Sequence, residues 1–121
     1  MQNGVIALDG EESRTVVLPI NSTHTFETYK TDNYGSTFKL STTEDGTHNS
    51  GSEYTTGVTS GTFTLQLVTD TATPSTLYYY ADETAGMGGK ILIDASGLGI
   101  VDGVQGDGYY CHMEVSLKPK P

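Results

Sequence analysis

The sequence predicts an all-β protein, a single domain built as a sandwich of antiparallel or mixed sheets. Three observations predict the all-β class. β-Branched and aromatic residues alternate with polar ones at a period of two, as in Thr62 to Thr69 and Tyr109 to Leu117, while apolar residues keep helical spacing over no useful length. The 15 glycines and abundant threonines punctuate these runs with turn signals. At 121 residues and 35% hydrophobic, the chain suits one thin core, and no unit of fixed period recurs along it.

Taken in order, Val5 to Leu8 reads as a short strand or an arm, and Asp9-Gly10-Glu11-Glu12 as an acidic turn. Arg14 to Leu18 is a β-branched strand whose end Pro19 places at a sheet edge, because proline has no amide hydrogen to give a ladder. Asn21-Ser22-Thr23 fits a glycosylation sequon but is read as a turn. His24 to Lys30 alternates, with one wet face. Phe38, Leu40 and Thr42 point inward while Lys39 points to water. Glu44 to Gly61 is dense in small polar residues, and a long surface loop is expected there.

Thr62 to Thr69 is the strongest core strand, with Phe63, Leu65 and Leu67 on its inner face. Ser75 to Ile91 reads as a strand, a small-residue loop closed by Gly88-Gly89, and a second strand. Ile91-Leu92-Ile93 is continuously apolar, as in a strand covered on both faces. A flexible loop is expected over residues 94–108, which lack the carboxylate spacing of a calcium loop. Tyr109 to Leu117 forms the final strand, followed by an exposed Lys118-Pro119-Lys120-Pro121 tail. The predicted core is Phe63, Leu65, Leu67, Leu77, Ile91, Ile93 and Val115.

Charge and cysteine content narrow the function classes. Six Lys and Arg against 15 Asp and Glu give a net charge of −9, which repels nucleic acid and anionic lipid and leaves proteins or neutral glycans as partners. One cysteine rules out an intrachain disulfide. No signal peptide or membrane-length apolar run is read, so synthesis in a cytoplasm is expected.

Catalytic and metal chemistry find little support. Cys111-His112-Met113 brings together the ligand types of a blue-copper centre, but on a strand Cys111 and Met113 face one way and His112 the other. His24 and His48 are read as solvent-facing. The chain contains no Gly-x-Ser-x-Gly elbow, and Glu11-Glu12 and Asp82-Glu83 are adjacent carboxylates, read as solvated charge. Of Tyr78-Tyr79-Tyr80, only Tyr78 and Tyr80 share a strand face; that pair is assigned to core or interface in preference to a sugar platform.

Tyr78-Tyr79-Tyr80-Ala81-Asp82-Glu83-Thr84-Ala85-Gly86-Met87-Gly88-Gly89 resembles the ligand loop of cupredoxin-like sandwich modules from marine phage and bacterial proteins, which carry Tyr-Tyr-Tyr-Cys-x-x-His-x-Gly-Met-Gly-Gly. Ser36 to His48 and Glu53-Tyr54-Thr55-Thr56-Gly57-Val58 resemble the same family's His-Pro-x-x-Phe-Ser-Thr-Thr-x-Asp-Gly-Thr-His and Glu-Tyr-Thr-Thr-Gly-Val segments. In that family a cysteine, two histidines and a methionine hold copper. Here the matching positions are Ala81, Ser36, Thr84 and Met87, so the resemblance implies the fold without the metal: a thioether alone does not make a blue-copper site. It covers residues 24–93, leaving 1–20 as an arm and first strand and 94–121 as loop, final strand and tail.

The resemblance implies a non-enzymatic phage virion protein without a cofactor, a capsid decoration or cement protein made in the host cytoplasm. It would contact the major capsid protein or other virion proteins in many copies or as a homo-oligomer, and neither nucleic acid nor membrane. An adhesion or glycan-binding module of a fibre is the alternative, and a copper protein is disfavoured. Candidate interaction residues are Val5, Ile6, Leu8, Tyr78 and Tyr80.

Overall fold

Alternation at a period of two becomes strand wherever it is sustained. The computed structural model describes residues 4–8, 11–12, 15–29, 37–95, 100–101, 104–105 and 112–119. Within them lie β1 (Gly4–Leu8), β2 (Glu11–Glu12), β3 (Val16–Pro19), β4 (Thr23–Glu27), β5 (Phe38–Ser41), β6 (Val58–Gly61), β7 (Thr64–Val68), β8 (Thr76–Ala81), β9 (Thr84–Asp94), β10 (Ile100–Val101), β11 (Val104–Gln105) and β12 (His112–Pro119), with one 3-10 turn at Gly46–Asn49.

Two mixed sheets form an all-β sandwich. One has the order β2-β1-β12-β4-β7-β6, the other β3-β9-β8-β5, and β10 pairs with β11 as a separate ribbon. The parallel contacts are β12 with β4 and β3 with β9; the rest are antiparallel. The inner faces supply one continuous core. Ile6, Leu8, Phe26, Leu65, Leu67, Met113 and Val115 come from the first sheet, and Val16, Leu18, Phe38, Leu40, Leu77, Tyr79, Ala81, Ile91 and Ile93 from the second. Phe38 ties the layers together, its ring 5.2 Å from Phe26 and 5.6 Å from Tyr79. Each fully buried aliphatic side chain contributes about 1.5–3 kcal/mol relative to exposure.

The second sheet is also covered outside. Ile91, Leu92 and Ile93 are all buried, as their continuous apolar run predicts, and β10 packs against β9. Val16, Val17 and Leu18 are likewise buried, and β3, ending at Pro19, is indeed an edge strand.

Several expectations are corrected. The arm alternative for Val5 to Leu8 fails: β1 pairs with β12 from Gly4↔Pro119 to Leu8↔Val115, and Ile6 and Leu8 are fully buried in the core. The same ladder carries β12 into the expected tail as far as Pro119, where β4, which meets β12 only at residues 112–114, no longer lies alongside. Glu44 to Gly61 is not one loop, because it contains the 3-10 turn and β6. Phe63 leaves the core list at 37% exposure, since the Gly61↔Thr64 pair makes Thr62-Phe63 the hairpin turn and Phe63 adopts φ 60°. Part of the expected 94–108 loop is the β10–β11 ribbon. His24 is buried rather than solvent-facing.

Candidate functional site

The small-residue loop expected after Tyr80 is instead a tight hairpin. Ala81 pairs with Thr84 across an Asp82-Glu83 turn, and β9 runs on through Gly86, Gly88 and Gly89. Between the Tyr79↔Gly89 and Ala81↔Thr84 pairs, β9 holds three more residues than β8, an irregularity that bows it outward. Two glycines permit the bow. Gly86 has φ 78°, a left-handed conformation that a side chain strains, and Gly88 lies where any β-carbon would strike the Tyr79 carbonyl.

Four residue pairs lock this corner. The Thr37 amide and hydroxyl donate to Glu83 Oε1 and Oε2, each at 2.6 Å, while the Asp82 amide donates to the Thr37 carbonyl at 3.0 Å. The Gly86 amide donates to the Asp45 carboxylate at 3.0 Å. His48 Nε2 hydrogen-bonds the Ala81 carbonyl at 2.7 Å. Asp45 and Gly46, both at positive φ, bend the chain so that the 3-10 turn lies over the outer face of β8. Tyr80 is buried beneath it, with Gly46 against its ring and His48 edge-on at 6.1 Å.

The electrostatics are those of a structural joint. Lys39 lies 3.3 Å from Asp82 and 3.5 Å from Glu53, half-buried instead of extending freely into water. Desolvation works to lower its pKa, but the Asp82 hydrogen bond and the charges of Glu53 and Asp82 prevail and raise it. Burial pushes the Tyr80 hydroxyl up; the Thr47 side chain and the Lys39 charge oppose this, and the charges of Glu53 and Asp82 add to it, so the net shift is upward. That hydroxyl is buried, and its contact with the Thr47 side chain falls short of a full hydrogen bond. An open recess of about 380 Å³ lies between Glu44, Asp45, His48 and Asn49 on one side and Gly86, Gly88 and Gly89 on the other.

The positions matching copper ligands are only partly drawn together. Ala81 and Thr84 are backbone partners, with the Ala81 methyl in the core; the backbone of Met87 runs in β9, and Ser36 and Cys111 lie outside the described residues. The backbone of His112 pairs with Thr25. Among the described residues no group of three or more His, Cys, Asp or Glu is arranged to hold a metal. No protein-family model, curated protein or solved structure matches the chain.

Of the candidate interaction residues, the Ile6, Leu8 and Tyr80 side chains are buried and Tyr78 is half-buried; Val5 is placed only by its β1 backbone. The corrections to Ile6, Leu8 and Tyr80 share one cause, a second element packed over each, and a one-strand reading of the sequence cannot see a covering layer. Sequence reasoning missed Asp45, His48 and Glu83, which hold the corner. Asp45 and His48 fall in the stretch read as a long surface loop, and nothing local marks Gly86 or Ala81 as the partner 41 or 33 residues away.

Proposed function

We propose that this chain is a non-enzymatic structural protein of a phage particle, a decoration or cement protein on the capsid surface. It contacts the major capsid protein or other virion proteins in many copies and is made in the host cytoplasm. The observation that carries the reading is the use made of the ligand-like corner. Ala81 gives its side chain to the core and its carbonyl to His48, and Glu83 clamps Thr37, so the corner acts as a joint. The resemblance of residues 24–93 to phage-borne modules supplies the setting, and the net charge of −9 argues against nucleic acid or anionic membrane as partner. No helix among the described residues is long and apolar enough to cross a membrane.

An adhesive or glycan-binding module is the second reading. A recess of about 320 Å³ lined by Thr28, Ser60 and Thr64 favours it, together with the exposed Tyr29 and Phe63, next in sequence to Thr28 and Thr64, whose rings meet edge-on at 4.9 Å. Copper electron transfer has neither thiolate nor imidazole at positions 81 and 84. Locating the protein in purified virions by cryo-electron microscopy separates the readings. Many equivalent copies on the head are expected; presence at the tail tip alone gives the adhesion reading its place, and absence from the particle overturns both.

A further inference from the structure

Four strands end the two sheets, and three of these edges are blunted. β2 is two residues long and acidic, and β3 ends at Pro19. The edge of β5 is crossed by the returning chain, where the Tyr54 amide donates to the Leu40 carbonyl at 2.6 Å and Ser41 bridges to Glu53. Among the described residues nothing guards β6 in this way. Thr59, Ser60 and Gly61 are exposed, and β6 carries no charge and no proline. An unguarded edge strand is a template for another strand.

The backbone of β6 shows what it offers. The Val68 amide donates to the Gly57 carbonyl at 2.9 Å, so by antiparallel alternation Thr59 and Gly61 bond to β7 while Val58 and Ser60 turn their polar groups outward. The Val58 amide is taken by the Thr55 carbonyl at 3.0 Å. What remains is the Ser60 amide and carbonyl and the Val58 carbonyl, for which no partner occurs among the described residues.

Charge and apolar exposure identify the partner. No Asp, Glu, Lys or Arg occurs from Tyr54 to Thr69, although the chain carries −9. Two like copies therefore meet here without the repulsion that opposes contact elsewhere. The exposed large hydrophobic residues among those described are Tyr29, Phe63 and Val68, and each lies on or against the β6–β7 hairpin.

We propose that β6 pairs antiparallel with β6 of a second copy of this chain, on a two-fold axis at Thr59, joining the two six-stranded sheets into one. Each Ser60 amide then donates to the Val58 carbonyl of the other copy, and the two Thr59 residues stand opposite each other. This goes beyond the virion reading: pairing is measured on the purified chain in solution, whereas particle location is measured on virions, so either can fail alone.

The test is sedimentation of the full chain over a wide concentration range, with Thr59→Glu and Ser60→Pro variants. The intact chain sediments as a dimer. Thr59→Glu places two carboxylates face to face across the axis and weakens association about tenfold or more, with circular dichroism unchanged. Ser60→Pro removes the outward amide without touching the β7 ladder and has the same effect. A chain that is monomeric throughout overturns the proposal. So does association that Thr59→Glu leaves intact, whatever Ser60→Pro does, because Thr59 is exposed and its replacement spares the monomer fold.

Discussion

The carbonyl oxygen of Tyr79 occupies the space into which a β-carbon on Gly88 would point. The oxygen belongs to the β8 backbone and the β-carbon would be fixed by the Gly88 backbone, so no side-chain rotation relieves the collision. Gly88→Ala is expected to cost about 3 kcal/mol or more, at the upper end of overpacking effects. Gly86→Ala meets open space and bears only the strain of its φ of 78°, about 1–2 kcal/mol. Chemical denaturation of the two variants checks the order, and equal losses would show that β9 does not bow as described.

Leu65 is 3% exposed in the core, whereas Phe63, two residues earlier, lies in the hairpin turn. Leu65→Ala should cost about 2–5 kcal/mol through lost transfer energy and the cavity left behind. Phe63→Ala should cost less, losing mainly its edge-on contact with Tyr29. Equilibrium unfolding in urea gives both values, and the opposite ranking would restore Phe63 to the inner face.

The difference between Phe63 and Leu65 also shows what the sequence could convey. Alternation along residues 64–68 and 76–79 and the continuous apolar run at 91–93 were legible because side-chain direction follows the strand itself, and they pointed to the all-β sandwich and to part of its core. Register was not legible: a two-residue turn at Thr62-Phe63 makes the inner face of β7 begin at Leu65, two residues later than alternation alone suggests. Burial by a later layer was also hidden. Tyr80 lies under Gly46 and His48, and His24 beside Pro19, through contacts that no local pattern announces.

His24 makes stability depend on pH. Its Nε2 meets the Pro19 carbonyl at 3.3 Å, and Nδ1 is buried with no hydrogen-bond partner among the described residues. Burial lowers its pKa from 6.5, and the Pro19 hydrogen bond opposes this only in part. The unfolded chain therefore takes up a proton first as pH falls. The contribution to stability is intact above about pH 6.5 and declines below it until the folded pKa is reached. Melting temperature should fall over this window in the intact chain and more shallowly in His24→Gln. Parallel pH profiles would count against His24 as the source.

Copper should not bind stoichiometrically. Ala81 supplies a methyl group in the core where the resembling modules place a thiolate. Titration of the full chain with copper should give no intense thiolate-to-copper absorption. A blue centre of one ion per chain would overturn the assignment of this corner as a joint.

Removal of residues 1–12 tests whether the N-terminal segment is an attachment arm or part of the sandwich. β1 contributes Ile6 and Leu8 to the core and forms the ladder from Leu8↔Val115 to Gly4↔Pro119. Its loss strips two large aliphatic side chains from the core, about 1.5–3 kcal/mol each, and bares residues 115–119 of β12 as an edge. A domain of this size holds only about 5–15 kcal/mol in total, so the deletion should abolish cooperative unfolding or lower the melting temperature severely. Ile6→Ala provides the graded version, at about 2–5 kcal/mol. If the truncated chain melts as the intact one does, β1 is dispensable to the sandwich and the segment is free to serve as an arm.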